Sequence, residues 1–512
     1  MGYIKNFIIK NCYRDSVFLM QISNNIHNVP EVNSAALMIG SNANKNILRK
    51  SGILTKEGDE AGPGDIIIAV DISSAESFNG IKNTIHKMLD SDPVPSQKNT
   101  VQTASFETAL HIMAEANLAL ISVPGQYAAR EAKKALKNNL NVMLFSDNVS
   151  LDDEISLKKT ALGKNLLFMG PDCGSSIING TPLGFTNSVS KGNIGIAAAA
   201  GTGLQEVTVS ISKLGGGISH AIGTGSRDLS LEVGGISTAH AVALLNNDIN
   251  TDVITIISKP PHPEIADKII KIAETCSKPV VICFIGSKLD RKKSNTVFFT
   301  DTLEDTALLS YKISLDISAE IKEQPMSDDY KLINETRAKL QRPQKHIRGL
   351  FTGGTLCTEC AFILSNHGIK TYSNTQTSSS TLSQSPFDMP GHALIDFGAD
   401  EFTVGKPHPM IDPSIRNKAI LHEASKDEVA LLIFDVILGF GSHADPAGSI
   451  VKALAGLENK KILIANVCGT DHDPQIYSKQ VDILRDKGII TFPTNTQASR
   501  FAAKVINKNE PE

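Results

Sequence analysis

The sequence contains no tryptophan, and aromatic residues make up only 5% of its 512 residues. That composition argues against a platform on which nucleobases stack. No long basic run occurs and the formal net charge is -4, so nothing in the chain suits a nucleic-acid backbone. No apolar stretch is long enough to cross a bilayer, and the opening Met1-Gly2-Tyr3-Ile4-Lys5-Asn6 reads as the start of a strand, not as a secretory leader. Neither a membrane nor a nucleic acid is expected as a partner. The cysteines are odd in number and scattered: Cys12, Cys173, Cys276, Cys283, Cys357, Cys360 and Cys468. Such a set fits a reducing cytoplasm. Cys357 and Cys360 form a single C-x-x-C, with no second pair to complete a zinc site, so packing outweighs chemistry there.

What the chain has is 41% hydrophobic residues, enough for several cores, and a length that suggests three or four domains. It also has two loops of one type. The strand ending in Ala197–Ala200 feeds Gly201-Thr202-Gly203 and then a helix with Glu206 near its start. Much later, Ile347–Phe351 feeds Thr352-Gly353-Gly354-Thr355 and a helix with Glu359. A strand, a Gly/Thr turn and a helix start place backbone N–H groups around an anion at the positive end of a helix dipole. The bland alternative is a tight connection between strand and helix, with each Glu only complementing the dipole.

Residues 1–98 read as a small α+β domain. Its strands are Tyr3–Lys10, Ser34–Ile39 and Ile66–Asp71, and its helices are Ser16–Ile26 and Ser77–Leu89. Ser91–Thr100, polar and carrying two prolines, reads as a linker. Residues 101–190 alternate strands (Leu118–Val123, Asn141–Ser146, Leu166–Met169) with the Ala-rich helix Ala128–Asn138, as a Rossmann-like domain does. Residues 191–322 place strands at Ile194–Ala198, Gly217–Ala221, Val253–Ser258 and Val280–Phe284. Residues 323–345 form a charged connector. Residues 346–508 continue with strands at Leu394–Phe397, Ala430–Ile437, Ile462–Val467 and Gly488–Phe492. The two last domains share strand spacing and first-loop type, which predicts a flavodoxin-like pair with ligands at the carboxyl ends of the strands.

Several phrases in this order resemble the FdrA family, whose scaffold is similar to succinyl-CoA synthetase. They include Asn141–Ser150, Gly170–Gly184, Gly192–Glu206, His220–Gly235, Ser258–Pro261, Gly349–Leu356, Val404–Pro413 and Val436–Ser442. The resemblance implies an α/β chain: a small N-terminal α+β domain, a CoA-binding-type Rossmann domain and two ligase-type flavodoxin domains. It also implies CoA as a candidate cofactor, although no Gly-x-Gly-x-x-Gly fingerprint stands in 101–190. The synthetase carries a phosphorylated His after a Lys-Pro-Val-Val strand. Here Lys278-Pro279-Val280-Val281 is present, yet no His occurs from Pro263 through Lys345, and there is no room for the nucleotide-binding half. What the family resemblance implies instead is a subunit of an oxamate carbamoyltransferase in allantoin and purine breakdown. Its substrates would be the small anions carbamoyl phosphate and oxamate, and its partners companion subunits in a cytoplasmic oligomer. An acyl-CoA-binding or acid–thiol ligase relative without the phosphohistidine is the alternative, and a non-catalytic scaffold subunit is a further one.

Carbamoyl transfer needs an anion cradle, a carboxylate site and donors for charge building on the carbamoyl oxygen. Gly201, Thr202 and Gly203, Gly223, Thr224 and Gly225, and Gly353, Gly354 and Thr355 are the cradle candidates. Arg227 or Arg416 is a bidentate partner for a carboxylate. His408, in the stiff phrase Lys406-Pro407-His408-Pro409-Met410-Ile411-Asp412-Pro413, and His443 are the candidates for polarising a carbonyl or moving a proton. Asp435, Asp445, Asp471, His472 and Asp473 also lie at strand ends, but in no metal-ligand spacing, and no metal is expected. His392 falls at the amino end of a strand, away from any site in this architecture.

Overall fold

The computed structural model describes residues 2–507 apart from 13, 15, 28, 91–102, 104, 288–293, 318–328, 376, 378, 384–388, 404–406 and 456–460. The expected linker Ser91–Thr100, the first part of the connector and Lys406 lie outside the described residues. The chain forms two compact units, Met1–Ala114 with Thr403–Pro407, and Glu115–Phe402 with His408–Glu512.

The first unit has strands β1 (Tyr3–Ile9), β2 (Val32–Ile39) and β3 (Ile66–Ile72) in the order β1-β3-β2. β3 pairs antiparallel with both neighbours, so β1 and β2 run parallel on either side of it. Ile66, Ile68, Val70 and Ile72 face the helices Ser16–His27 and Phe78–Asp90. Ile67 and Ala69 face the other way, into a smaller cluster with Leu48 and Ile53. Both faces are covered, which is why this strand reads as an unbroken apolar run.

In the second unit, β4 (Leu118–Ile121), β5 (Asn141–Leu144) and β6 (Phe168–Met169) form a short parallel sheet. The helix Gly125–Lys137 lies on it through Ala128, Ala132, Ala135 and Leu136, spaced to share one face. The next helix, Leu151–Gly163, was not foreseen, although Ser150 caps it and Asp152, Asp153 and Glu154 fill its first turn. An antiparallel hairpin follows, β7 (Ser175–Ile178) and β8 (Thr181–Gly184). It extends a sheet built from β9 (Lys191–Ala199), β10 (Ile218–Gly223), β11 (Val253–Ser258), β12 (Val280–Phe284) and β13 (Val297–Phe299). The parallel strands run β10-β9-β11-β12-β13, the flavodoxin order.

The last sheet repeats that order. β14 (His346–Phe351) is flanked by β17 (His392–Asp396) on one side and by β18 (Val429–Ile437), β19 (Ile462–Cys468) and β20 (Ile490–Phe492) on the other. β15 (Thr371–Ser373) and β16 (Ser380–Leu382) extend the β17 edge. All nine residues of β18 are buried. One core joins the two flavodoxin-like sheets. Leu204, Val207 and Ile211 of helix Gly201–Lys213 meet Leu356, Cys360 and Leu364 of helix Gly354–Asn366, together with Leu303, Ala307, Phe501 and Ala502. This shared helical layer brings the two glycine loops face to face.

Candidate functional site

The helices Gly201–Lys213 and Gly354–Asn366 both start without a side-chain cap. Their first-turn N–H groups are therefore left for solvent or a ligand. The starts touch: a Cβ on Gly203 would stand 2.9 Å from Thr355 Cγ2, and one on Gly353 2.8 Å from Thr202 Oγ1. Side chains at either position would drive the helices apart, so glycine is required for the close approach. Gly201, Thr202, Gly203, Gly353, Gly354 and Thr355 thus meet at the carboxyl ends of both sheets, and the ground beside their uncapped helix starts is the candidate cleft.

Two charged residues not singled out by sequence close this cleft. A Cβ on Gly354 would collide with Asp396 Oδ2 and lie 2.8 Å from Lys259 Nζ. Lys259 follows β11 and Asp396 ends β17, so different sheets deliver them. Lys259 makes no ion pair among the described residues. Asp396 is 4% exposed. Its Oδ1 accepts the Gly398 amide at 2.9 Å, and no described residue donates a hydrogen bond to its Oδ2. Burial lifts its carboxyl to about 6, with Lys259 opposing. Strand-end positions carry such a signal, but no spacing in the chain links a Lys before two prolines to an Asp in a distant strand.

The second loop holds a carboxylate of its own. Asp435, fully buried on β18, accepts the amides of Thr352 (2.8 Å) and Gly353 (2.7 Å) and the Thr352 hydroxyl. Arg416 pairs with it, Nη1 donating to Oδ1 at 3.1 Å and to the Asp435 carbonyl. Arg416 therefore holds a carboxylate, but one of the protein's own, and the open N–H groups of this loop begin at Gly354.

Glu206 and Glu359 cross between the halves. Glu206 Oε1 accepts the amide of Asn495, at the start of the last helix of the second half. Glu359 Oε1 accepts the amide of Leu303, at the start of the last helix of the first half. Glu359 also takes Asn495 Nδ2 at 2.7 Å and the Thr496 hydroxyl at 3.0 Å. Both act as caps for another helix, not for their own.

The remaining candidates are distributed otherwise. Gly223, Thr224 and Gly225 make a packed turn. A Cβ on Gly223 would hit Ser175 O and Cys173 Sγ, one on Gly225 would hit Pro171 O, and the Thr224 carbonyl accepts Lys158 Nζ. This loop is filled by protein and offers no cradle. Arg227 is half-exposed, and its Nη2 is held by Glu154 Oε2 and the Val149 carbonyl, both at 2.8 Å. Asp228 is buried, paired with Lys158 at 2.6 Å, and caps helix Ile236–Asn247 through the amides of Ser237 and Thr238. His408 does lie beside the cleft, with Nε2 2.8 Å from where a Cβ on Gly398 would stand, a residue that binds Asp396. Its Nδ1 accepts the Met410 amide at 3.2 Å. Burial lowers it to about 4, so at neutral pH the ring is uncharged and carries its proton on Nε2, a donor. The loop of His443 packs on the same segment through its amide to Met410 O, and its Nδ1 accepts the Asp445 amide.

The other strand-end acids serve the backbone: Asp445 caps Gly448, Asp471 accepts the Ser478 amide, and Asp473 accepts Ser188 and Thr470. His392 Nδ1 accepts the Ile347 amide at the amino end of β17. Cys357, Cys360 and Cys468 are buried, and burial holds their thiols well above the ordinary range. No helix among the described residues is long and apolar enough to cross a membrane.

Comparison with known proteins gives the family. "Uncharacterized protein YahF" of Escherichia coli (strain K12) is 41% identical over 519 residues, covering 99% of both chains. Residues 350–505 match the CoA-ligase family, 189–286 the CoA binding domain, and 1–109 "AllF, heavy metal-associated domain". The chain belongs to the FdrA family. The CoA-binding match spans strands β9 to β12. Cys12 is the only cysteine in the 1–109 match, and the described residues contain no group of three His, Cys, Asp or Glu placed to hold a metal. Among solved structures, the apo dinucleotide-forming acetyl-coenzyme A synthetase 1 of Ca. Korarchaeum cryptofilum aligns over 76% of this chain and 82% of its own, at 16% identity and TM-score 0.31. ATP citrate lyase from Methanothrix soehngenii aligns over 47% and 46%, at 14% identity and TM-score 0.34. Neither superposes closely enough to position a residue.

Proposed function

We propose that this FdrA-family chain is a subunit of a carbamoyltransferase, acting with companion subunits on carbamoyl phosphate and oxamate in allantoin and purine breakdown. The observation that carries the reading is the facing pair of uncapped helix starts with Lys259 between the sheets. It is suited to a small dianion such as a phosphoryl group. Carbamoyl transfer needs no nucleotide and no phosphorylated imidazole, and the chain has no His between Pro263 and Lys345 for such a relay. His408, uncharged and with its proton on Nε2, is suited to donate to the carbamoyl oxygen as charge builds there.

In the reaction, the oxamate nitrogen attacks the carbamoyl carbon, the C–O bond to phosphate breaks, and the bonding pair leaves with phosphate. The test is the complex purified with its companion subunits and given N-carbamoyl-oxamate and inorganic phosphate. Formation of carbamoyl phosphate is expected, and a fully assembled complex that forms none contradicts the reading. A second reading, CoA binding without ligation, is favoured by the match of residues 189–286 to a CoA binding domain. It predicts that millimolar CoA gives calorimetric heat with the chain alone while the complex stays silent towards carbamoyl substrates.

A further inference from the structure

We propose that Lys259 and Asp396 form the working pair of the cleft: the ammonium holds a substrate oxyanion against the two helix starts, and the carboxyl exchanges a proton with the group transferred beside it. The anion-holding half stands on geometry alone. The proton-exchange half rests on the carbamoyl-transfer reading.

The helix starts would be weak evidence by themselves. The second observation is Asp396, whose Oδ2 is aimed at Gly354 and lacks a donor among the described residues, although the residue is 4% exposed. With no such donor, that oxygen is left to water, a proton or a ligand hydrogen. Lys259 stands beside it without an ion pair among the described residues. A cation and a carboxyl left unpaired next to open amides suit an oxyanion and an N–H or O–H side by side. In carbamoyl transfer the phosphate brings the oxyanion and the acceptor nitrogen brings the N–H. When its nitrogen bonds to the carbamoyl carbon and the phosphate oxygen leaves with the electron pair, the nitrogen's proton passes to Asp396. In the reverse direction the protonated Asp396 returns it to the departing nitrogen.

The groups facing this pair are few. Asp435 is saturated by Thr352, Gly353 and Arg416. Glu401 acts on Asp396 through charge. His408 stays neutral above about 4. Asp172, raised to about 6 by desolvation, feels the charges of Asp147, Lys259 and Asp400. Glu206 faces Asn495 instead.

Sulfate does not titrate between pH 5 and 8, so it isolates the protein's own groups. Calorimetry of the full chain with sulfate is expected to show binding that weakens roughly tenfold as pH rises through about 6, where Asp396 ionises and repels the anion. Lys259→Met, and Lys259→Gln as a second variant, should weaken sulfate at least roughly tenfold at every pH. Asp396→Asn should tighten binding at pH 8 and shrink the pH span, and Asp396→Asn with Asp172→Asn should flatten it. Wild-type affinity in both Lys259 variants, an unchanged span in Asp396→Asn, or no sulfate binding at all would overturn the assignment. In the assembled complex, Asp396→Asn should lower kcat at least roughly a hundredfold with the KM for phosphate little changed. Sulfate binding as described in a complex that transfers no carbamoyl group would leave the oxyanion site standing and remove the carbamoyl chemistry.

Discussion

Replacing Asp435 with alanine is expected to destabilise the second flavodoxin-like half by about 3–5 kcal/mol, the range seen when one partner of a buried ion pair is removed. The carboxylate satisfies the amides of Thr352 and Gly353 and faces Arg416, which is 2% exposed. Without it, a guanidinium is buried with no counter-charge and two loop amides lose their acceptor. Asp435→Asn keeps an acceptor oxygen and should cost less. Urea unfolding followed through limited proteolysis of residues 346–507 measures both. A melting curve of Asp435→Ala superimposed on wild type would show that Asp435 does not organise this loop.

The second large effect belongs to Glu359. Its two oxygens hold the Leu303 amide, the Asn495 side chain and the Thr496 hydroxyl at a position with no solvent contact. Glu359→Ala leaves the Leu303 amide and the Thr496 hydroxyl without this acceptor and Asn495 Nδ2 with only the Leu356 carbonyl, and at about 1–3 kcal/mol for each unsatisfied group the loss should reach about 3 kcal/mol. Glu206, its counterpart, behaves differently. One oxygen holds Asn495 N, the other accepts no hydrogen bond from a nitrogen or oxygen donor among the described residues, and the Cys468 thiol stands beside the carboxyl. Burial raises it to about 7. A carboxyl whose folded value lies above its unfolded value penalises the folded state once pH exceeds the unfolded value, and the penalty is complete above about 7. Glu206→Gln should therefore match wild type at pH 5 and be the more stable protein at pH 8, by about 1–3 kcal/mol. Equal stability at both values would mean that Glu206 ionises normally.

Much of the framework was legible from sequence. β11 and β12 coincide with Val253–Ser258 and Val280–Phe284 because strands covered on both faces are continuous apolar runs bounded by polar ends. The repeated flavodoxin order could be anticipated from the matching first loops. The hairpin Ser175–Gly184 escaped, because Gly, Pro and Ser within it look like loop, and only its pairing with β10 makes it sheet.

For the site, the glycines of the two loops were visible, since close approach of backbones demands that residue type. Their mutual contact was not, because it arises from docking of two half-molecules. The Gly223-Thr224-Gly225 turn carried the same local signal and proved to be filled by Cys173, Ser175 and Pro171. Arg416 was recognised as a carboxylate partner, but sequence could not say whose carboxylate. Lys259, in the family phrase Ser258–Pro261, and Asp396, at the end of a strand, were given no role, because no local spacing links the two. Glu206 and Glu359 were placed at the correct turn of the correct helices, yet each works on a helix from the other half.

The central claim is that the cleft between the helix starts at Gly201 and Gly354 holds an oxyanion. Diffraction from crystals soaked in selenate, collected at the selenium edge, tests it most directly. The account predicts an anomalous peak within hydrogen-bond reach of the Gly354 amide and Lys259 Nζ, lost in Lys259→Met crystals. An empty cleft at saturating selenate, or a peak that persists unchanged without Lys259, would contradict it.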